Sequence, residues 1–131
     1  KIDQTSQMML REIKKHSNIN GVLTHHFHLD EQTRFQGLYR EWHENGSPRL
    51  ECTFIDNRQE GEYKKWYKNG ILHVCCYHKN NRLHGEYREW DSFGNLTDTY
   101  FFADDENITD NVIAYSDNPV MIKLKFGINV L

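Results

Sequence analysis

Histidine and cysteine supply the side chains that could do chemistry in this chain. Eight histidines and three cysteines are present, and two pairs are spaced by two residues, His26 with His28 and His73 with Cys75. Residues two apart on a β-strand point to the same face, so each pair could form half of a zinc site. Four ligands would have to converge, however, and no partner pair recurs at a fixed spacing. We therefore expect solvent-exposed strand histidines, with no metal and no cofactor.

Nucleophilic catalysis would need a thiol or hydroxyl beside a histidine that an acid orients. Cys75 beside His73 is the local candidate, but residues derived from a repeat seldom build a unique site. Glu41 and Glu89 could act as paired carboxylates, yet Lys65 holds the equivalent position between them, and alternating charge is typical of a solvated face. The sequence contains no glycine-rich phosphate loop. It predicts no catalytic residues and a protein that is not an enzyme.

Tryptophans and basic residues form the pattern that favours binding. Three tryptophans recur at a spacing of 24 residues, and a basic residue stands two places before each of them. Aromatic and arginine side chains are common hot spots of interfaces, and a cation beside an exposed indole contributes about 0.5–1 kcal/mol. An alternative is that the indoles simply pack within the sheet. The predicted binding residues are Trp42, Trp66, Trp90, Arg40, Lys64 and Arg88.

A unit of 24 residues, written three times, positions these side chains. Each copy opens with Gly-x-Tyr at residues 37–39, 61–63 and 85–87, reaches its tryptophan at the sixth place, and turns at Gly46, Gly70 or Gly94. A period in this range is typical of repeat arrays, in which each unit buries its face only against its neighbours. The expected fold class is mainly β, a single-layer antiparallel meander of repeated β-hairpins.

Turn residues predict which strands pair. The dipeptides at residues 45–46 and 69–70 are Asn-Gly, a strong signal for a two-residue hairpin loop whose positions both need positive φ, and residues 93–94 are a weaker copy. These loops set each opening glycine and tyrosine against fixed partners. The predicted pairs are Gly37 with Phe54, Tyr39 with Cys52, Gly61 with His78, Tyr63 with Cys76, Tyr67 with Leu72, Gly85 with Phe102 and Tyr87 with Tyr100.

The same alternation divides the side chains between two faces. A glycine repeatedly opposite a large ring is read as leaving room for that ring, so the tyrosine column is predicted to be the core face. Cys52 and Cys76 would fill this core as small hydrophobes. The tryptophan column falls on the other face, unless a β-bulge between tyrosine and tryptophan reverses the parity and brings the indoles into the core.

The two ends depart from the repeat. Residues 1–20 are predicted to form an N-terminal helix or cap, because Met9 and Ile13 lie four apart on one helical face. Residues 21–103 form the repeat array, and residues 104–131 an atypical C-terminal β-hairpin cap with strands at residues 111–115 and 120–131. An open meander leaves edge strands at residues 21–29 or near the C-terminus, which allows an edge-to-edge homo-oligomer.

Composition excludes some partners. Lysine and arginine number 16 against 19 acidic residues in 131, so the chain has no cationic excess to grip nucleic acid. The cysteines Cys52, Cys75 and Cys76 are odd in number and form no C-x-x-C pair, which indicates free thiols in a reducing compartment. No signal peptide and no apolar run of about 20 residues is recognisable. We expect a cytoplasmic protein.

The pattern Gly-x-Tyr-x-x-Trp-x-x-Asn-Gly at residues 37–46 and 61–70, and at 85–94 with Phe93 replacing asparagine, resembles the MORN-repeat variant. The resemblance spans about residues 21–103 and implies a curved ribbon of hairpins. It also implies a non-enzymatic scaffold that mediates protein–protein interaction. Alternatives in this family are an anionic-lipid or membrane-surface adaptor and an antitoxin-like neutralising partner. The composition also resembles proteins of giant DNA viruses, which implies a virus-infected host cell.

Overall fold

The computed structural model describes residues 9–113, 123 and 125–128. These residues form a single antiparallel sheet of 11 strands and one short helix, which confirms the predicted meander and the mainly β fold class. The strands are β1 Arg11–His16, β2 Leu23–Leu29, β3 Gly37–Trp42, β4 Pro48–Ile55, β5 Arg58–Gln59, β6 Gly61–Trp66, β7 Leu72–Lys79, β8 Arg82–Leu83, β9 Gly85–Trp90, β10 Leu96–Ala103 and β11 Glu106–Asn107. The helix is α1 Thr109–Ile113.

The strands lie in the order β1-β2-β3-β4-β6-β7-β9-β10-β11, so each long strand pairs with the next long strand along the chain. The two-residue strands β5 and β8 pair with β4 and β7, respectively. Each is followed, after one residue, by a full strand of the next hairpin. Each 24-residue unit therefore adds one hairpin to the ribbon.

Most of the predicted register is confirmed. In the hairpin β6-β7, Gly61 lies opposite His78 and Tyr63 opposite Cys76, and the equivalent pairs occur in β3-β4 and β9-β10. The pairing of Tyr67 with Leu72 is wrong, because Leu72 lies opposite Trp66. The register shifts by one residue at this point in all three hairpins. Each of the three hairpins therefore contains a β-bulge next to the pair that its tryptophan forms.

The loops at Asn-Gly are not the two-residue turns that the sequence predicted. The Tyr67 amide donates to the Ile71 carbonyl (2.9 Å), and the Gly70 amide donates to the Tyr67 carbonyl (3.0 Å). Gly70 has φ +87°, whereas Asn69 does not have positive φ. This is the three-residue loop in which a turn is followed by a left-handed glycine.

Two-residue turns with positive φ at both positions occur instead at the opposite edge of the ribbon. They join β4 to β5, β7 to β8 and β10 to β11, and their φ values lie between 48° and 69°. Asparagine and aspartate tolerate this left-handed backbone better than other non-glycine residues. The residues of these turns are Asp56, Asn57, Asn80, Asn81, Asp104 and Asp105.

Gly37 and Gly61, which open the first two repeats, are required by backbone conformation and not by ring packing. Gly61 has φ +83°, and a Cβ added there would meet no atom within 4 Å; the same holds for Gly37 at φ +79°. Gly61 directly follows Glu60, whose amide donates to the Thr53 carbonyl at 3.0 Å and so extends the β4-β5 pairing up to the glycine. The predicted reason, room for the opposite ring, is therefore wrong at Gly37 and Gly61. At Gly85 a Cβ would contact Tyr77 (3.6 Å) on the neighbouring strand β7, and not the opposite residue Phe102.

The tyrosine face, defined by Tyr39, Tyr63, Tyr87 and the side chains that alternate with them, carries the core of the repeats. Cys52 and Cys76 are both buried there, at 3% exposure, as the sequence predicted. At the N-terminal end the side chains form an aromatic cluster, in which Phe27 stacks on Tyr39 with ring centroids 5.5 Å apart. This confirms the tyrosine column as the core face.

The N-terminal helix is a wrong prediction for residues 11–16, which form β1 and pair antiparallel with β2. Residues 1–8, which the same prediction covered, lie outside the described residues. A short helix has little stability in water, whereas the edge of β2 offers a ladder of backbone hydrogen bonds. Because β1 covers it, the segment at residues 21–29 is not an edge strand. Charged side chains on β1, such as Lys14 and Lys15, also disfavour further strand pairing there.

The C-terminal hairpin is also a wrong prediction where the structure describes it. Residues 111–113 belong to α1, and Lys123, Lys125 and Phe126 have helical backbone; the rest of the predicted strands lies outside the described residues. Asn107 Oδ1 accepts from the Thr109 amide (3.0 Å) at the start of α1. Among the residues described, no helix combines the length and apolar character needed to cross a membrane.

A second, smaller core secures this C-terminal segment. Ile108, Val112 and Ile128 are buried together. Ile108 and Val112 are four residues apart, so both face the sheet from one side of the chain at α1. The sheet and C-terminal side chains that pack against them are Phe101, Ala103 and Phe126.

Candidate functional site

The tryptophan face is the side of the ribbon that carries Trp42, Trp66, Trp90, Arg40, Lys64 and Arg88. In β3, β6 and β9 the basic residue and the tryptophan are two apart, so strand alternation places them on one face. The bulge residue in each hairpin lies on the partner strand, for example His73 in β7. Alternation along the tryptophan-bearing strands is therefore intact, and the reversal of faces does not occur. All three tryptophans are half-buried.

Each basic residue of the tryptophan face is paired with a glutamate. Arg40 Nε lies 3.0 Å from Glu51 Oε2 on the neighbouring strand, and Lys64 Nζ lies 3.0 Å from Glu62 Oε1. The hydrogen bond that Lys64 donates to the Glu62 carboxylate is the main cause that raises the pKa of Lys64. The third pair, Arg88 with Glu86, repeats this arrangement. The row of positive charges is thus balanced by a row of negative ones.

Exposed apolar side chains extend the tryptophan face towards the edge with the two-residue turns. Leu38 lies two residues before Arg40, and Tyr77 lies opposite Glu62, so alternation and pairing place both on this face. Leu38 is 41% exposed and Tyr77 39% exposed. Ile55 at the end of β4 is 52% exposed. Apolar surface therefore accompanies the indoles and the paired charges.

At the last hairpin, the C-terminal segment of the chain packs on the tryptophan face. Phe101 lies opposite Glu86, which is two residues from Arg88, so Phe101 points to the tryptophan face. It packs against the buried cluster of Ile108, Val112 and Ile128. Phe101 is one repeat, 24 residues, beyond Tyr77. The position that α1 covers in the last repeat is therefore exposed in the repeat before it.

Of the two predicted half-sites for zinc, the structure brings one pair of side chains together and not the other. His73 is the extra residue of the bulge in β7, and its ring stacks on Tyr67 with centroids 4.2 Å apart, so it does not pair with Cys75 as a regular strand would require. His26 and His28 do lie together, with ring centroids 5.3 Å apart, and a carboxylate from β1, Glu12, lies beside both. The sequence does not predict Glu12 as a ligand, because residues 1–20 are predicted to form an N-terminal helix or cap.

The cysteines are not arranged as nucleophiles. Burial raises the pKa of Cys75 above its ordinary value, and burial raises the pKa of Cys52 and of Cys76 to about 12. A thiol is a nucleophile only as the thiolate, so a raised pKa disfavours nucleophilic catalysis by these groups near neutral pH. All three are free cysteines, two of them buried, as the sequence indicated.

The two glutamates considered as paired carboxylates serve the tyrosine face instead. Glu41 accepts a hydrogen bond from the Tyr39 hydroxyl (2.9 Å), and Glu89 accepts one from the Tyr87 hydroxyl (2.6 Å). Burial, with this hydrogen bond as the second cause, raises the pKa of each tyrosine. The carboxylate of Glu41 is only 17% exposed. These residues are structural acceptors within the repeat and not the solvated charges that the sequence predicted.

Comparison with known proteins identifies the repeats. Residues 35–56 and 59–80 match the family model described as MORN repeat variant, which confirms the resemblance seen in the sequence. Repeats of this kind are commonly modules that bind proteins or membranes and are generally not catalytic. Searches of curated proteins and of solved structures found no significant match.

Proposed function

We propose that this chain, whose residues 35–56 and 59–80 are repeats of the MORN variant, is a non-enzymatic scaffold that binds another protein. The binding surface in this proposal is the tryptophan face. Its contact residues are Trp42, Trp66, Trp90, Arg40, Lys64 and Arg88.

The main support for the proposal is that the C-terminal segment of the chain packs on the tryptophan face of the last hairpin. There, Phe101 on the tryptophan face packs against Val112 of α1, which is 2% exposed. One repeat earlier the equivalent side chain, Tyr77, is exposed. A face that buries an apolar helical segment at one repeat has a suitable surface for an apolar segment of a partner at the others.

The spacing of the tryptophans supports a partner that reaches between them. Each repeat adds two strands, so equivalent residues are about 9.6 Å apart along the ribbon. Rings at this distance do not stack on one another directly. Partner side chains inserted between the half-buried indoles would bury apolar area on both sides of each ring, which is how interface hot spots gain their free energy.

The paired charges favour a protein over an anionic membrane as the partner. Arg40, Lys64 and Arg88 each lie beside a glutamate, so the face offers no unbalanced cluster of positive charge. Binding to anionic lipid depends on such clusters, with each free basic residue contributing about 1 kcal/mol. The lipid adaptor is therefore the weaker alternative. An antitoxin-like role would be one form of the protein-binding function.

The proposal places the scaffold in the cytoplasm, where glutathione and thioredoxin keep thiols reduced. Its support is chemical: Cys52, Cys75 and Cys76 are all free. Expression of a tagged chain in the source cells, followed by fractionation, tests this. Recovery in a secreted or disulfide-bonded form would contradict it.

Affinity capture from source lysate, with a matched pair of variants, tests the binding face. The test variant combines Lys64→Ala with Trp66→Ala on the tryptophan face. The control is Lys65→Ala, an exposed residue between them that points to the other face. Far-UV circular dichroism must show that all three chains are folded.

A partner retained by the intact chain and by the control, but lost from the double variant, would support the proposal. Equal retention by the folded double variant would overturn it. Flotation with anionic liposomes at low salt addresses the lipid alternative, and we expect no co-flotation. Co-flotation that the double variant abolishes would instead assign the face to a membrane surface.

A further inference from the structure

We propose that Glu12, His26 and His28 form a binding site for a divalent transition-metal ion, with Zn²⁺ as the representative ion. The site lies at the N-terminal end of the ribbon, across strands β1 and β2. It is independent of the protein-binding function proposed above.

The register of β1 and β2 brings these three side chains together. Glu12 lies directly opposite His28, and His26 is two residues before His28, so all three point to the same face. Glu12 Oε2 lies 3.4 Å from His26 Nε2 and 3.7 Å from His28 Nε2. The three potential ligand atoms all lie within 4.8 Å of one another. Ligands held about 2.1 Å from a tetrahedral Zn²⁺ are about 3.4 Å apart, so small side-chain adjustments suffice.

The state of His26 is a second, independent indication of a ligand. Its Nε2 atom is shielded from solvent, and its contact with Glu12 Oε2 at 3.4 Å is too long and poorly aligned to satisfy it as a hydrogen bond. Buried polar atoms without partners are rare in folded proteins, because desolvation is not compensated. A metal ion bound between His26 Nε2 and Glu12 Oε2 would satisfy both atoms.

The charges around the site leave one carboxylate oxygen for the ion. Lys14 Nζ lies 3.4 Å from Glu12 Oε1, whereas both histidines contact the other carboxylate oxygen, Oε2. Oε2 remains directed at both imidazole rings. Arg40, which lies opposite His26 on β3, is paired with Glu51. Neither neighbouring cation therefore occupies the position between the three ligands.

The donor set selects the class of metal. Two imidazoles and one carboxylate are typical ligands of Zn²⁺ and of other divalent first-row transition metals. Mg²⁺ and Ca²⁺ prefer oxygen ligands alone and should not compete. Three protein ligands also leave a coordination position open to water or to a group from a partner.

Calorimetric titration of Zn²⁺ into the metal-free full chain tests the site. The variants His28→Gln and Glu12→Gln each remove one ligand and keep the size of the side chain. The control is His25→Gln, because His25 is the neighbouring histidine on β2 but points to the tyrosine face, 3.8 Å from Glu41. A reducing agent that does not bind metals keeps the thiols from oxidising.

We expect one equivalent of Zn²⁺ to bind the intact chain and the His25→Gln variant with equal affinity. Removal of either ligand should weaken binding by at least about tenfold, since loss of even a supporting group near a metal costs this much. Imidazole ¹⁵N spectra should show Nε2 of His26 and of His28 shifting on addition of Zn²⁺, while His25 does not shift. No saturable binding, equal affinity in folded His28→Gln, or shifts only at other histidines would overturn the proposal.

Discussion

The side-chain amide of Asn69 donates a 2.8 Å hydrogen bond to the backbone carbonyl of Ser92, which lies one repeat further along the chain. The same amide group uses its Oδ1 atom to accept from the Ile71 backbone (3.0 Å) within its own loop. Asn45 bonds to the Lys68 carbonyl in the same way, at 3.0 Å. The asparagine of each Asn-Gly loop therefore links two successive loops, which explains its place in the repeat without a need for positive φ.

Replacement of this asparagine should loosen the contact between repeats. Asn69→Asp keeps the acceptor for the Ile71 amide but loses the donor to the Ser92 carbonyl, so we expect a loss of about 0.5–1.5 kcal/mol in the free energy of unfolding. Phe93→Asn is the control, because Phe93 holds the equivalent position and is 87% exposed. Urea denaturation measures both. Equal stability of Asn69→Asp and the intact chain would contradict this role.

Gly61 offers a test of why glycine opens each repeat. Its φ of +83° costs an L-residue about 1–2 kcal/mol, but asparagine tolerates this conformation better than alanine does. We therefore expect Gly61→Ala to be less stable than Gly61→Asn in thermal denaturation, although asparagine is larger. If space for the opposite ring of His78 were the reason, the larger side chain would be the more damaging.

Asp30 should make stability depend on acid pH. Its buried carboxylate accepts hydrogen bonds from Gln36 Nε2 (3.0 Å) and Arg34 Nε (2.8 Å), and the bond from Gln36 is the main cause that holds the pKa of Asp30 well below its ordinary value of 3.8. A lowered folded-state pKa stabilises the protein fully above the unfolded pKa, and this stabilisation is lost as pH falls towards the folded value.

The matched comparison is Asp30→Asn against the intact chain. We expect the variant to be less stable in urea at pH 6, and the difference between the two chains to shrink as the pH is lowered below about 4. A difference that is the same at pH 6 and at pH 3 would show that the charge of Asp30 does not contribute.

Cys75 should behave as an ordinary, partly shielded thiol and not as a nucleophile. Because burial raises its pKa, alkylation by iodoacetamide in the folded protein should still be accelerating with pH above about 8.5, the ordinary thiol pKa. The chain unfolded in urea is the control and should react at the normal rate at all three cysteines. A rate for Cys75 that reaches its plateau near neutral pH would reveal an activated thiolate and would reopen an enzymatic role.

The register was predictable because two local errors compensate. The loop after Tyr67 contains three residues and not two, but β7 contains one extra residue at His73, so every pair beyond the bulge keeps the predicted register. The two differences cancel beyond the bulge. Strand alternation there, and with it the position of Cys76 in the core, therefore stays as predicted. The type of turn depends on local backbone geometry, which the Asn-Gly pair alone did not specify.

The ends were not predictable from local pattern. Residues 11–16 form a strand because the edge of β2 is available, a tertiary circumstance that weak helical spacing at Met9 and Ile13 could not reveal. The carboxylate of Glu12 beside His26 and His28 was missed for the same reason. The two-residue turns did leave a signal, since pairs of asparagine or aspartate recur at the period of the repeat. The role of the tryptophan face stays a prediction.

The affinity of the captured partner for single-site variants tests the central claim most directly. Calorimetry should compare Trp66→Ala with Lys65→Ala, its neighbour in β6 on the opposite face. If the tryptophan face binds the partner, Trp66→Ala should weaken binding by about 2 kcal/mol or more, the range of an interface hot spot, and Lys65→Ala should leave it unchanged. Unchanged binding of folded Trp66→Ala, or an equal loss in Lys65→Ala, would contradict the account.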